Sequence, residues 1–232
     1  MSDGRLYLVR HGETAANVEG LWQGRQGDDP LNERGRAQSL AAAEALADSG
    51  ANPIYASDLQ RAQQTAGIIA GRLGLPVQTH PGLREYGFGE LEGTTTSEGL
   101  AQWRALVDQW RTDPSAKPRG GESAAEFTQR VGEALHEIIS QHPSERVIVV
   151  AHGGSLSVGL AVVIGQPGNW RNYQMTNCGI SIVQLGAEPR LLVFDQTSHL
   201  EGIGTTAWIG PDVKRDEPPE PAPQTDLTAP RK

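Results

Sequence analysis

The chain has 232 residues, of which 37% are hydrophobic and 21% charged, with a net charge of -8 at pH 7. That length suits one α/β domain or two small ones, and the acidic balance argues against a nucleic-acid partner, which needs a basic footprint. Cys178 is the only cysteine, so no intramolecular disulfide is expected. The start lacks a signal-peptide pattern, and no stretch nears the ~20 apolar residues of a membrane span, so a cytoplasmic protein is expected.

Taken in order, residues 6–9 form a short apolar strand that runs into Arg10-His11-Gly12. Residues 14–31 are polar and dotted with glycine, which predicts a long functional loop. Asn32 is a fitting N-cap for a helix that runs to about Ser49, with Leu40, Ala43, Leu46 and Ala47 on one face and Gly50 as its stop. Residues 53–57 read as a second strand. Asp58 then caps a helix over 59–73, which Gly74 ends. A third short strand, 77–79, precedes the glycine-rich segment 83–93. Helical patterns follow over 97–111 and 123–141, the second opened by a Ser123/Glu126 capping box.

Residues 146–151 give the clearest strand, a continuous β-branched run of the kind covered by helices on both faces. It ends in His152-Gly153-Gly154, and a helix over 155–164 follows. Residues 178–185 and 190–194 predict a hairpin. From Pro211 onward proline and charge dominate, which predicts a disordered tail over 211–232. Alternating strands and helices argue for a three-layer α/β/α sandwich with a mostly parallel sheet. The domain is expected to span 1–210, with a small helical cap about 94–142.

Two apolar strands each release a histidine into glycine. If those strands are parallel neighbours, both imidazoles meet at the carboxyl edge of the sheet, where open α/β folds bind ligands. Arg10 offers a planar fork for phosphate oxygens, and a histidine nitrogen is a competent nucleophile near neutral pH. Arg61 opens the helix after the second strand, where the helix dipole favours an anion. Glu85 lies in a glycine-rich loop, and a carboxyl beside a phosphate dianion is suited to donate a proton. His80, His136 and His142 read as surface residues, and Cys178 as a buried small residue at a strand start. Asn177 is placed to reach the site. Trp22, Trp103, Trp110 and Trp170 read as core or lid residues, with Trp22 a candidate for the pocket wall.

Arg10-His11-Gly12-Glu13-Thr14, with Asn17 and Gln23-Gly24 behind it, resembles the histidine phosphatase superfamily, also called the phosphoglycerate mutase-like family. The resemblance extends through Ser57-Asp58-Leu59-Gln60-Arg61, Leu83-Arg84-Glu85-Tyr86-Gly87, Gly120-Gly121-Glu122-Ser123 and Ala151-His152-Gly153-Gly154 to Thr197-Ser198-His199. It implies that His11 takes the phosphoryl group while Arg10, Arg61 and His152 bind its oxygens. It further implies that Glu85 protonates the leaving oxygen and then activates water. Asn17, Gln23 and Gly24 would line the pocket, and Gly153 would offer an N–H. His199 fits a structural hydrogen bond. No metal or other cofactor is implied.

The family's mutases resemble one another in a Gly-Leu-Asn-Lys segment after the acid glutamate and in a later pair of arginines. Here Leu91-Glu92-Gly93 leads into Thr94-Thr95-Thr96, and no Arg-Arg pair occurs. The expectation is therefore a metal-independent phosphomonoester hydrolase. Its substrate would be a small phosphorylated metabolite, a sugar phosphate or a phosphoglycerate-like acid, handled by a monomer or homodimer. A cofactor-dependent phosphoglycerate mutase is the alternative within the enzymes. A non-catalytic phospho-ligand binding protein is the alternative outside them.

Overall fold

The computed structural model describes residues 4–205, so the segment 211–232 lies outside the described residues. The sheet has six strands: β1 (Arg5–Arg10), β2 (Ile54–Ala56), β3 (Val77–Thr79), β4 (Arg146–Ala151), β5 (Ile180–Gln184) and β6 (Arg190–Gln196). Their order is β3-β2-β4-β1-β5-β6. The first four are parallel, while β5 and β6 pair antiparallel, as expected of a hairpin, so the sheet is mixed.

Alternation along β1 and β4 sorts their side chains into two cores. Leu6, Leu8, Val147 and Val149 face one side, where they join Val131, Leu135 and Ile138 of helix Ala124–Gln141 and Leu156 and Leu160 of helix Gly153–Val163. Tyr7, Val9, Ile148 and Val150 face the other, against Ala43 of helix Glu33–Ala45 and Ala62, Ala66 and Ile69 of helix Gln60–Leu73. With the short helix Ala15–Glu19 and the helix Thr96–Gln109, the helices are α1 (15–19), α2 (33–45), α3 (60–73), α4 (96–109), α5 (124–141) and α6 (153–163) in chain order.

Several local expectations change. The loop 14–31 contains α1, which Thr14 and Asn17 close with a capping box. Asn32 caps α2 as predicted, but the helix ends at Ala45, and Gly50 at φ 64° turns the chain four residues after the C-cap. The buried face of α2 is Ser39, Ala42, Ala43 and Leu46, of which Ala43 and Leu46 join the core beside the sheet, and Leu40 is left 59% exposed. Asp58 does not cap α3. Its carboxylate takes a two-pronged bond from Arg84 at 2.7 and 2.5 Å, and Asp28 from the distant loop accepts from the Gln60 N–H at 2.5 Å. Helix α6 starts at Gly153, two residues early, so its first turn begins directly after His152. Cys178 precedes β5 in the left-handed region, with φ 55°.

The N-terminus of α2 presses on the chain just after the β1 turn. A Cβ on Gly35 would lie 2.1 Å from the backbone oxygen of Glu13. The buried Glu13 carboxylate is held there by Arg34 and by Asn32 Nδ2 at 2.7 Å. Gly35→Ala should therefore cost about 3 kcal/mol, the upper end of ordinary overpacking. Urea denaturation checks this, with an unchanged m-value and a lowered midpoint expected.

Candidate active site

Arg10 of β1 stands opposite Ala151 of β4, so the residue after each strand leaves the sheet at one edge. His11 and His152 thus face each other, with ring centroids 5.2 Å apart and planes inclined by 60°. Both are buried.

Their tautomers follow from their partners. His11 Nδ1 lies 2.7 Å from the Gly12 carbonyl oxygen. A carbonyl only accepts, so Nδ1 carries the proton and Nε2 bears the lone pair. Arg61 Nε donates to that Nε2 at 3.3 Å and to His152 Nδ1 at 3.1 Å. His152 therefore carries its proton on Nε2, which donates to Ser57 Oγ at 2.8 Å. Arg61 spends its other nitrogens on loop carbonyls, with Nη1 on Gly27 at 2.7 Å and Nη2 on Gly24 at 2.9 Å.

Burial holds both imidazoles well below their ordinary value of 6.5, and Arg61 and Arg10 push the same way. Burial also lowers Arg10, and it lowers Arg61 from 12.5 to about 10. Both guanidiniums still carry charge at neutral pH. Neither makes an ion pair with a carboxylate among the described residues. Arg10 donates from Nη1 to the Met175 carbonyl at 2.8 Å, while its buried Nε has no partner among the described residues. An unanswered buried donor on a cation is expensive unless an anion joins it.

Glu85 reaches the same edge from the segment after β3. Its carboxylate accepts from Tyr86 N at 2.8 Å, Gly154 N at 2.9 Å and Ser155 N at 3.1 Å, the last two in the first turn of α6. A Cβ on Gly154 would stand 2.3 Å from Glu85 Oε1, so this close approach needs glycine. Asn17 Oδ1 accepts from Thr14 N at 3.1 Å and from Asn177 Nδ2 at 3.2 Å, and Gln23 Nε2 donates to Thr14 Oγ1 at 2.8 Å. Arg10, His11, Asn17, Gln23, Gly24, Arg61, Glu85 and Gly153 all line one cleft of about 920 Å³, its open mouth included. His152 sits behind Arg61, fully buried.

Sequence reasoning missed the supports of this group. Thr65 Oγ1 accepts from Gly12 N at 3.0 Å and donates to the Arg61 carbonyl at 2.9 Å, tying the β1 turn to α3. Arg130 on α5 donates to the carbonyls of Gly82, Arg84 and Glu85 at 2.9, 3.0 and 3.2 Å and pairs with Glu122 at 2.8 Å, which fixes the Glu85 segment. Ser57 has a signal, its place two residues before the α3 N-cap in the matched Ser-Asp-Leu-Gln-Arg run; Arg130 has none in its neighbours. Asn177 does reach the site, donating to the His11 carbonyl at 2.9 Å. His199 makes a structural bond to the Cys178 carbonyl at 3.0 Å. Burial raises the Cys178 thiol to about 12, which makes it a poor nucleophile.

Long-range proton–nitrogen spectra should show His11 protonated at Nδ1 and bare at Nε2, with no titration step near 6.5; a midpoint there would contradict the geometry. The unfolded chain titrates near 6.5, whereas the folded rings titrate lower. The unfolded state therefore binds more protons as pH falls through that value, and stability present at neutral pH is lost on acidification. Urea midpoints measured at stepped pH test that slope.

Residues 6–194 match the profile of the histidine phosphatase superfamily (branch 1). The chain is 38% identical over 208 residues to a protein of Erwinia tasmaniensis named a probable phosphoglycerate mutase, covering 85% of this chain and 95% of that one. It is also 38% identical over 174 residues to a glucosyl-3-phosphoglycerate phosphatase of Mycolicibacterium vanbaalenii, covering 72% and 77%. Among solved structures, a mycobacterial glucosyl-3-phosphoglycerate phosphatase in complex with VO3 superposes with a TM-score of 0.73 at 33% identity, covering 83% of this chain and 99% of that one. The α-ribazole phosphatase of Shigella flexneri gives a TM-score of 0.73 at 30% identity, covering 83% and 96%.

Proposed function

The chain belongs to the histidine phosphatase superfamily, and on that premise we propose that it hydrolyses small phosphomonoesters through a phosphohistidine on His11, with no metal ion. One observation carries this reading: two buried guanidiniums without carboxylate partners among the described residues, one with an Nε that has no partner there, flank a histidine that lines the cleft and keeps its Nε2 unprotonated, accepting from Arg61 Nε. Phosphoryl transfer needs mainly positioning and positive charge around the equatorial oxygens, and Arg10 and Arg61 supply that charge.

In the first step the His11 Nε2 lone pair forms the N–P bond as the ester P–O bond breaks. Glu85, protonated for this step, gives its proton to the leaving oxygen, and an alcohol departs. The Gly12 carbonyl accepts from Nδ1–H, so the positive charge gained by the ring is spread toward a fixed dipole. In the second step water attacks phosphorus and loses a proton to the Glu85 carboxylate while the N–P bond breaks. Inorganic phosphate leaves, and His11 is again neutral with its proton on Nδ1. His152 shares the Arg61 Nε with His11 and so orients the guanidinium between the two rings.

The likeness to a protein named a phosphoglycerate mutase favours a second reading, return of the phosphoryl group to a phosphoglycerate. Thr94-Thr95-Thr96 and the lack of an arginine pair weigh against it. A sugar phosphate or a phosphoglycerate-like acid suits the phosphate end equally well, and the leaving group is selected by the rest of the cleft.

Phosphate release from a panel of monoesters in EDTA tests the reading. His11→Ala should lower kcat by at least about 1,000-fold without unfolding the chain, as expected when a covalent nucleophile is lost. Full activity in the variant, or activity that EDTA abolishes, would overturn it. Isomerisation of 3-phosphoglycerate with bisphosphoglycerate, faster than phosphate release, would favour the mutase.

A further inference from the structure

Beyond the phosphate end, the cleft changes character. Its wall is built from Trp22, Phe88, Trp103, Trp110, Phe127 and Trp170. Trp22 packs against Phe88 with centroids 4.8 Å apart and against Trp103 at 5.3 Å, and Trp103 meets Trp110 edge-on at 5.3 Å. Trp22, Phe88, Trp103 and Phe127 are buried, so the protein itself fixes them, while Trp110 and Trp170 are only partly buried. Trp110 is anchored by its Nε1, which donates to the Ala116 carbonyl at 2.8 Å. Trp170 comes from a separate short 3-10 turn, Pro167–Asn172.

The charged side chains that line the cleft, Arg10, Arg61 and Glu85, all belong to the phosphate end. Several cations outside that lining are paired, Arg111 with Asp108 at 3.9 Å among them. Arg25 pairs with Glu122 at 3.7 Å, Arg84 with Asp58 at 2.5 Å and Lys117 with Glu126 at 2.8 Å. Arg171 lies outside the lining, with its guanidinium carbon 4.7 Å from the Trp170 ring centroid. A carboxylate on the leaving group would lose its water against an aromatic wall whose lining holds no cation, and it would share the cleft with Glu85. Desolvation without a partner is the costly case. A flat apolar group would instead meet ring faces and edges.

We propose that the preferred substrates are phosphomonoesters of uncharged alcohols that carry an aromatic or similarly flat apolar group, and that the tryptophan-rich wall selects them over phosphorylated acids. This rests on the phosphatase reading above. It separates the chain from what the names of its phosphoglycerate-acting relatives say of those proteins. Trp110 and Trp170, which reach the cleft from different parts of the chain as partly exposed members of its lining, are assigned to specificity.

The test is steady-state hydrolysis of benzyl phosphate, glycerol 1-phosphate and 3-phosphoglycerate by the full chain. These leaving groups are all unactivated alcohols, so intrinsic reactivity does not favour the aromatic ester. Benzyl phosphate should exceed both others in kcat/KM by at least about tenfold, chiefly through KM. Trp110→Ala and, separately, Trp170→Ala should narrow that ratio by about fivefold or more. Equal or better turnover of 3-phosphoglycerate or glycerol 1-phosphate would overturn the inference and leave the phosphatase reading standing. A benzyl preference untouched by both variants would overturn the assignment to this wall. No phosphate release from any ester would sink the phosphatase reading, and the inference with it.

Discussion

Arg61 is 1% exposed and makes no ion pair with a carboxylate among the described residues. Its Nε is shared between two imidazoles and its other nitrogens bind two loop carbonyls. Arg10 is buried beside it, its Nε without a partner among the described residues. Two like charges held this close, in side chains this buried, are a standing cost. The fold tolerates them because so much else converges on them: carbonyls from the 24–27 loop, the turn after β1, and the Thr65 hydroxyl that bridges Gly12 and Arg61. An anion is the natural complement of such a site, and most of what surrounds it follows from that need.

The same burial sets the protonation of the histidines. A protonated His11 would add a third positive charge and have no lone pair to offer. Desolvation and the two arginines keep the ring neutral, and the Gly12 carbonyl decides which nitrogen stays bare. The carboxylate is handled differently. Glu85 is kept by backbone N–H groups at the start of α6, with no ion pair to a cation among the described residues, so the charge of both arginines is left unneutralised and Arg10 Nε remains open to a ligand. Topology makes this possible: the parallel pairing of β1 with β4 puts both strand-end histidines and the N-terminus of α6 at one edge.

Much of this is legible in sequence. Continuous apolar runs mark β1 and β4, each is followed by histidine and glycine, and the alternation of strands and helices implies a mostly parallel sheet. The residues named for the site line the cleft, apart from His152 and Asn177, which bond to side chains or carbonyls of residues that do. What stays hidden is what depends on contacts between distant segments. Asp58 looks like a helix cap by position, yet Arg84 claims it and Asp28 caps the helix from another loop. Leu40 looks like core by composition, yet the small Ser39 and Ala42 form the buried face, Ser39 over the turn at Gly12 and Ala42 against Cys178 and Leu200. Arg130 sits on an ordinary helix face, and only the folded chain shows it clamping the carbonyls around Glu85. Trp22, Trp103, Trp110 and Trp170, far apart in the chain, show no shared purpose until the fold gathers them in the lining of one cleft.

The account stands or falls on a covalent bond at His11 Nε2. Rapid acid-free quenching during turnover of a 32P-labelled ester, followed by peptide mapping, tests it directly. The prediction is a phosphopeptide that contains His11, labile in acid and stable in alkali, with label that appears and decays at rates compatible with turnover. Label on another residue, or turnover with no label on the chain at any time, would contradict the account.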